Sequence, residues 1–95
     1  MNLITWNIQW CRGCDGRVDP GRIVDTCRDM ADFDVLCLQE VARNYPGLPG
    51  SSGEDQFALL GGLLPGFTAV EGIAIDVPGA DGKRRQFGNL ILARY

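Results

Sequence analysis

The chain has 95 residues, 45% of them hydrophobic and 22% charged, a composition that fits one globular unit and excludes two full domains, a fibre or a disordered segment. Nine Lys and Arg against twelve Asp and Glu leave a formal charge of −3, which excludes a broad electrostatic pull toward nucleic-acid backbones or anionic membranes. No basic segment leads into an apolar run at the amino terminus, and no stretch approaches the ~20 apolar residues of a membrane span, so a cytoplasmic protein with no transmembrane segment is expected.

In chain order, NLITWNI is rich in branched and aromatic residues without Gly or Pro, which predicts a strand over residues 2–8. A turn-rich loop, QWCRGCDGR, follows. Asp19 before Pro20 is an N-cap followed by proline at the first helical position, and Ile23, Val24, Cys27, Met30 and Ala31 recur at helical spacing, so a helix is expected over 20–31. DVLCLQEV is a short apolar run bounded by Asp34 and Glu40, as in a strand buried on both faces. Strand, helix and strand in this order form the βαβ pattern, within a parallel or a mixed sheet.

NYPGLPGSSG, residues 44–53, is a surface loop and not a domain boundary. In EDQFALLGGLL, Phe57, Leu60, Leu63 and Leu64 are spaced for a short second helix that ends before Pro65 and Gly66. FTAVEGIAIDV and RRQFGNLILARY read as strands joined through PGADGK, with Asp81 and Gly82 as the turn pair. Lys83, Arg84 and Arg85 are expected to form a solvated hairpin tip, with a handle for an anionic substrate as the rival reading.

Cys27, on the helical stripe, and Cys37, in the second strand, are expected in the core. Cys11 and Cys14 form a CxxC in a loop, but zinc takes four ligands and the chain has no histidine and no second CxxC. An inert, reduced loop is expected. A disulfide, a redox pair or a metal shared with a second chain are the other readings.

Asn7 and Glu40 each fall at the carboxyl end of a predicted strand, where ligand sites of open α/β sheets gather. A carboxylate placed at the rim of an apolar layer must be solvated, paired or bound to a cation, and Mg²⁺ is a hard ion held by one or two carboxylates with water and phosphate. Two readings stand side by side. Asn7 caps a turn and Glu40 is a solvated charge, or the two converge on a shared cavity with room for a divalent cation.

Taken in order, ITWNIQW, DVLCLQEV, DQFALLGGLLPGF and FGNLILARY resemble the successive landmarks of the endonuclease/exonuclease/phosphatase superfamily. The resemblance implies an α/β (α+β) fold, half of a four-layered αββα sandwich, with a mixed β-sheet and two helices on one face. It implies a phosphoesterase that uses Mg²⁺ or Mn²⁺ on a phosphoester substrate: a nucleic acid, a phospholipid or an inositol phosphate. Glu40 becomes the metal ligand, with Asn7 beside it fixing the metal or the scissile phosphate, and Asn89 supports the site or touches substrate. Family members continue into a second half that supplies an Asp and Asn pair and an Asp and His pair. Residues 1–95 are therefore expected to be a partial domain lacking its carboxyl-terminal half, inactive alone. The rival expectation is a non-catalytic interaction module that forms a homo-oligomer through an exposed apolar sheet edge, of which NLILA is a part.

Overall fold

A computed structural model describes residues 1–79 and 81–94. Ala80 in the expected turn and Tyr95 at the end of the last expected strand lie outside the described residues.

The elements are β1 (Leu3–Asn7), α1 (Pro20–Met30), β2 (Val35–Arg43), α2 (Gln56–Gly62), β3 (Thr68–Pro78) and β4 (Arg84–Ala93). They form one four-stranded sheet in the order β1-β2-β4-β3. β1 and β2 run parallel through the α1 crossover, whereas β4 is antiparallel to both β2 and β3. The sheet is mixed, as expected, and the fold class is α+β.

Helix α1 starts where its sequence prescribes. The Asp19 carboxylate accepts from the Arg22 backbone N–H at 3.2 Å, and Pro20 opens the helix where no intrahelical donor is required. Ile23, Val24 and Cys27 turn inward, but Met30 at the helix end is 61% exposed and does not join the stripe. Asp55 caps α2 by accepting from the Ala58 N–H, and Phe57 and Leu60 are its buried face.

Both helices pack on one face of the sheet. Ile4, Leu36, Leu38, Leu90 and Leu92 from the strands close against Ile23, Val24, Cys27, Phe57, Leu60 and Leu64 in a single core. Each fully buried leucine there stabilises the fold by about 1.5–3 kcal/mol. Phe33 and Phe67 close the lower end with ring centroids 5.5 Å apart.

Over much of the opposite face no layer lies among the described residues, but beyond the bulge Trp10 and Tyr45 pack against Phe87, beside which Ala42 is buried. Leu3, Thr5 and Asn7 of β1 point there, as do Asn89 and Ile91 of β4, because they alternate with the buried residues of those strands. In register across the sheet, Thr5 is paired with Cys37, Cys37 with Ile91, and Ile91 with Val70. Cys37 is half-buried on this face and not in the core. An all-apolar run such as VLCL carries no alternation to reveal which side each residue takes. Leu3 and Val70 are 57% and 58% exposed.

Candidate functional site

The register of β2 against β4 breaks at one point. Leu38 pairs with Leu90 and Val41 with Gly88, which leaves Gln39 and Glu40 together opposite Asn89. This is a β-bulge, and Glu40 takes the left-handed conformation with φ of +59°. Regular alternation would send Glu40 to the helix side, with Leu38. The bulge turns it onto the open face and restores the phase, so Val41 is again buried. Glu40 therefore sits inside β2, which runs on to Arg43, and not at the strand end as its sequence suggested.

On that open face the Asn7 side-chain nitrogen Nδ2 donates to Glu40 Oε2. Asn7 Oδ1 accepts the Gln9 backbone N–H at 3.1 Å. A backbone N–H needs an oxygen acceptor, which fixes the orientation of the Asn7 amide. Asn7 thus presents its N–H to the site. Its oxygen caps the turn after β1 by accepting the Gln9 N–H. The turn-capping reading of Asn7 is realised by its side-chain oxygen, while its N–H meets Glu40.

The segment after β1 is bound to the bulge. Ile8 N–H donates to the Gln39 carbonyl at 3.1 Å and Trp10 N–H to the Glu40 carbonyl at 2.7 Å. Gln9, Trp10 and Cys11 all have positive φ, of 48°, 47° and 62°, and left-handed conformations cost a non-glycine residue about 1–2 kcal/mol each. Such strain persists where the surroundings over-determine it, and it clusters at functional positions.

Gln56 supplies part of that determination, and no sequence signal marked it. It is fully buried. Its Oε1 accepts from Ala42 N–H at 3.1 Å, and its Nε2 donates to the Trp10 carbonyl at 2.7 Å and to Glu54 Oε1 at 3.0 Å. One amide thereby ties the first turn of α2 to β2 just beyond the bulge and to the strained turn after β1.

Asn89 lies opposite the bulge on the same open face. Among the described residues it has no hydrogen bond to Asn7 or Glu40. Its neighbour Gly88 is required by the sheet: a Cβ there would overlap the Gly72 carbonyl oxygen and come within 2.9 Å of Ala74 N, beside a second bulge in β3. The glycine keeps β3 and β4 close enough to present Asn89.

Nearby charges are spoken for on the helix side. Arg43 forks onto Glu71 with a 2.6 Å contact, lies 2.9 Å from Asp55 and stacks 4.9 Å over the Phe57 ring. At the hairpin tip Arg84 pairs with Asp76 at 2.8 Å, both well exposed, as a solvated tip requires.

Among the described residues no group of three or more His, Cys, Asp or Glu gathers to hold a metal. Glu40 offers one carboxylate, one oxygen of which takes the Asn7 N–H; a lone carboxylate is the smallest protein ligand set with which Mg²⁺ is held, water and phosphate oxygens completing the shell. The two side chains meet on the open sheet face. The four cysteines are unbridged: Cys11 is fully buried, its thiol pushed up to about 12 by burial and by the charges of Glu54 and Asp19, while Cys14 is exposed.

Fold and site together define a two-layer α+β unit bearing an amide–carboxylate pair at a bulge on its largely uncovered sheet face. No protein-family model, curated protein or solved structure matches the chain. No helix among the described residues is long and apolar enough to cross a membrane.

Proposed function

We propose that this chain is the amino-terminal part of a divalent-metal-dependent phosphoesterase, the reading its sequence landmarks suggest. The observation that carries it is the Asn7–Glu40 contact at the bulge: a strained left-handed backbone holds a carboxylate on the open face, where an unstrained strand would have turned it away. Bound to Glu40, Mg²⁺ would supply Lewis-acid polarisation of a phosphoryl oxygen. Asn7 holds the carboxylate in one rotamer through its N–H. Asn89, opposite the bulge on the same face, would meet a substrate lying along the sheet. The chain has no histidine, so the general base and the remaining metal ligands belong to structure that would cover this face, as in the αββα sandwich. A cytoplasmic setting accords with the unbridged thiols.

The test is hydrolysis of bis-p-nitrophenyl phosphate with Mg²⁺ by the complete gene product carrying this segment, as wild type and as Glu40→Ala. The variant should lose about 10²-fold or more in kcat. Unchanged turnover removes Glu40 from the reaction.

A second reading, a non-catalytic module that self-associates, is favoured by the exposed Leu3, Val70 and Ile91 on the same face. Light scattering of the isolated chain over a range of concentrations separates the two: a concentration-dependent dimer supports association, and a monomer throughout excludes it.

A further inference from the structure

On the other side of the sheet a second site is built from the CxxC loop. An open groove of about 430 Å³ lies between the edge strand β1, helix α1 and the loop, lined by Trp6, Arg12, Cys14, Asp15, Arg22 and Ile23 among others. Its walls are preformed. Gly13 N–H donates to the Arg17 carbonyl at 2.9 Å and Gly16 N–H to the Gly13 carbonyl at 2.9 Å, so the loop closes on itself. Arg22 reaches across from α1 to grip Asp15 through contacts of 2.8 and 3.2 Å and the Arg17 carbonyl at 2.7 Å. Gly13 is the residue that lets it pass, since a Cβ there would lie 2.7 Å from the guanidinium carbon.

With Arg22 committed to Asp15, Arg12 is the other cation of the lining. Among the described residues no acidic side chain pairs with Arg12. The indole of Trp6 and the side chain of Ile23 supply the apolar wall. A volume of this size suits a small organic molecule, which clefts hold by apolar contact and orient with a few polar groups. A guanidinium matches a carboxylate with two parallel hydrogen bonds, and Asp15 in the same lining disfavours a dianion. We propose that this groove binds a small planar aromatic monocarboxylate, its ring against Trp6 and Ile23 and its carboxylate on Arg12. The site is on the helix-bearing side of β1 and is independent of the role given to Glu40.

The exposed Cys14 lines the groove and gives the readout, and the half-buried Cys37 on the opposite sheet face is the internal reference. The experiment measures iodoacetamide modification of each cysteine by peptide mass spectrometry, with benzoate, neutral benzamide or inorganic phosphate present at matched ionic strength. Benzoate at ~10 mM should slow Cys14 about tenfold for a Kd near ~1 mM, leave Cys37 unchanged, and lose this effect in Arg12→Gln. Benzamide and phosphate should protect little. Equal protection by benzamide, protection retained in Arg12→Gln, or no slowing of Cys14 by benzoate each overturns the proposal.

Discussion

Asn7 donates through Nδ2 to Glu40 Oε2 across a sequence separation of 33 residues, and the contact exists because Glu40 occupies a left-handed bulge with φ of +59°. The two side chains belong to neighbouring parallel strands whose register pairs Asn7 with Gln39. Without the extra residue in β2, Glu40 would face the helices.

The bulge makes a stability prediction that separates backbone strain from the loss of the carboxylate. Glu40→Gly and Glu40→Val both delete the Asn7 contact, but glycine is at ease at positive φ and a β-branched side chain is not. The glycine variant should be more stable than the valine variant by about 1–3 kcal/mol in urea unfolding. Equal midpoints would show that the bulge is not held in the left-handed conformation in solution.

Gln56 fills the interior with an amide whose three hydrogen bonds are all satisfied. Gln56→Leu leaves Ala42 N–H and the Trp10 carbonyl without partners, and each buried unpaired group costs about 1–3 kcal/mol. A loss of about 2–4 kcal/mol is expected. A loss under ~1 kcal/mol would mean that water takes over the amide's role.

Two glycines on adjacent strands, Gly72 opposite Asn89 and Gly88 opposite Ile73, should answer differently to the same change. Gly88→Ala drives a methyl into the Gly72 carbonyl and should cost about 1–3 kcal/mol. Gly72→Ala meets only Asn89 at 3.8 Å, an ordinary contact, and should stay within about 0.5 kcal/mol of wild type. Thermal or urea unfolding of the two variants side by side checks the contrast.

Asp15 titrates low, at about 2 instead of 3.8, chiefly because the Arg22 guanidinium hydrogen-bonds it and secondarily because the Arg17 N–H does. A depressed carboxylate favours the fold while ionised, so its contribution is complete above pH ~4 and disappears as pH falls from 3.8 toward 2. Carboxyl NMR should show Asp15 charged at pH 3 in the wild type. Arg22→Gln should move its titration up toward the ordinary value, and an unchanged titration would exclude the Arg22 contact as its cause.

Much of the scaffold is readable in the residues. Asp19 and Pro20 mark the start of α1, Ile23, Val24 and Cys27 its buried stripe, and the apolar runs mark the four strands, because capping and periodicity are local. The site is less legible. Asn7 and Glu40 announce themselves as polar groups at the edge of apolar runs, yet a bulge formed by non-glycine residues has no compositional mark, and its register depends on a β4 partner about fifty residues downstream. The same limit hid the outward face of Cys37 and the locking role of Gln56, which are decided by tertiary packing and not by any local pattern.

We propose Glu40, steadied by Asn7, as the point where a divalent cation meets this chain. Paramagnetic broadening of backbone amide NMR signals during a Mn²⁺ titration reports that contact residue by residue. Broadening should centre on Asn7, Glu40 and Asn89, be competed by Mg²⁺, weaken in Asn7→Ala and vanish in Glu40→Gln. Broadening centred on another acidic group, such as Asp32 and Asp34, or a pattern unaltered by Glu40→Gln, would contradict it.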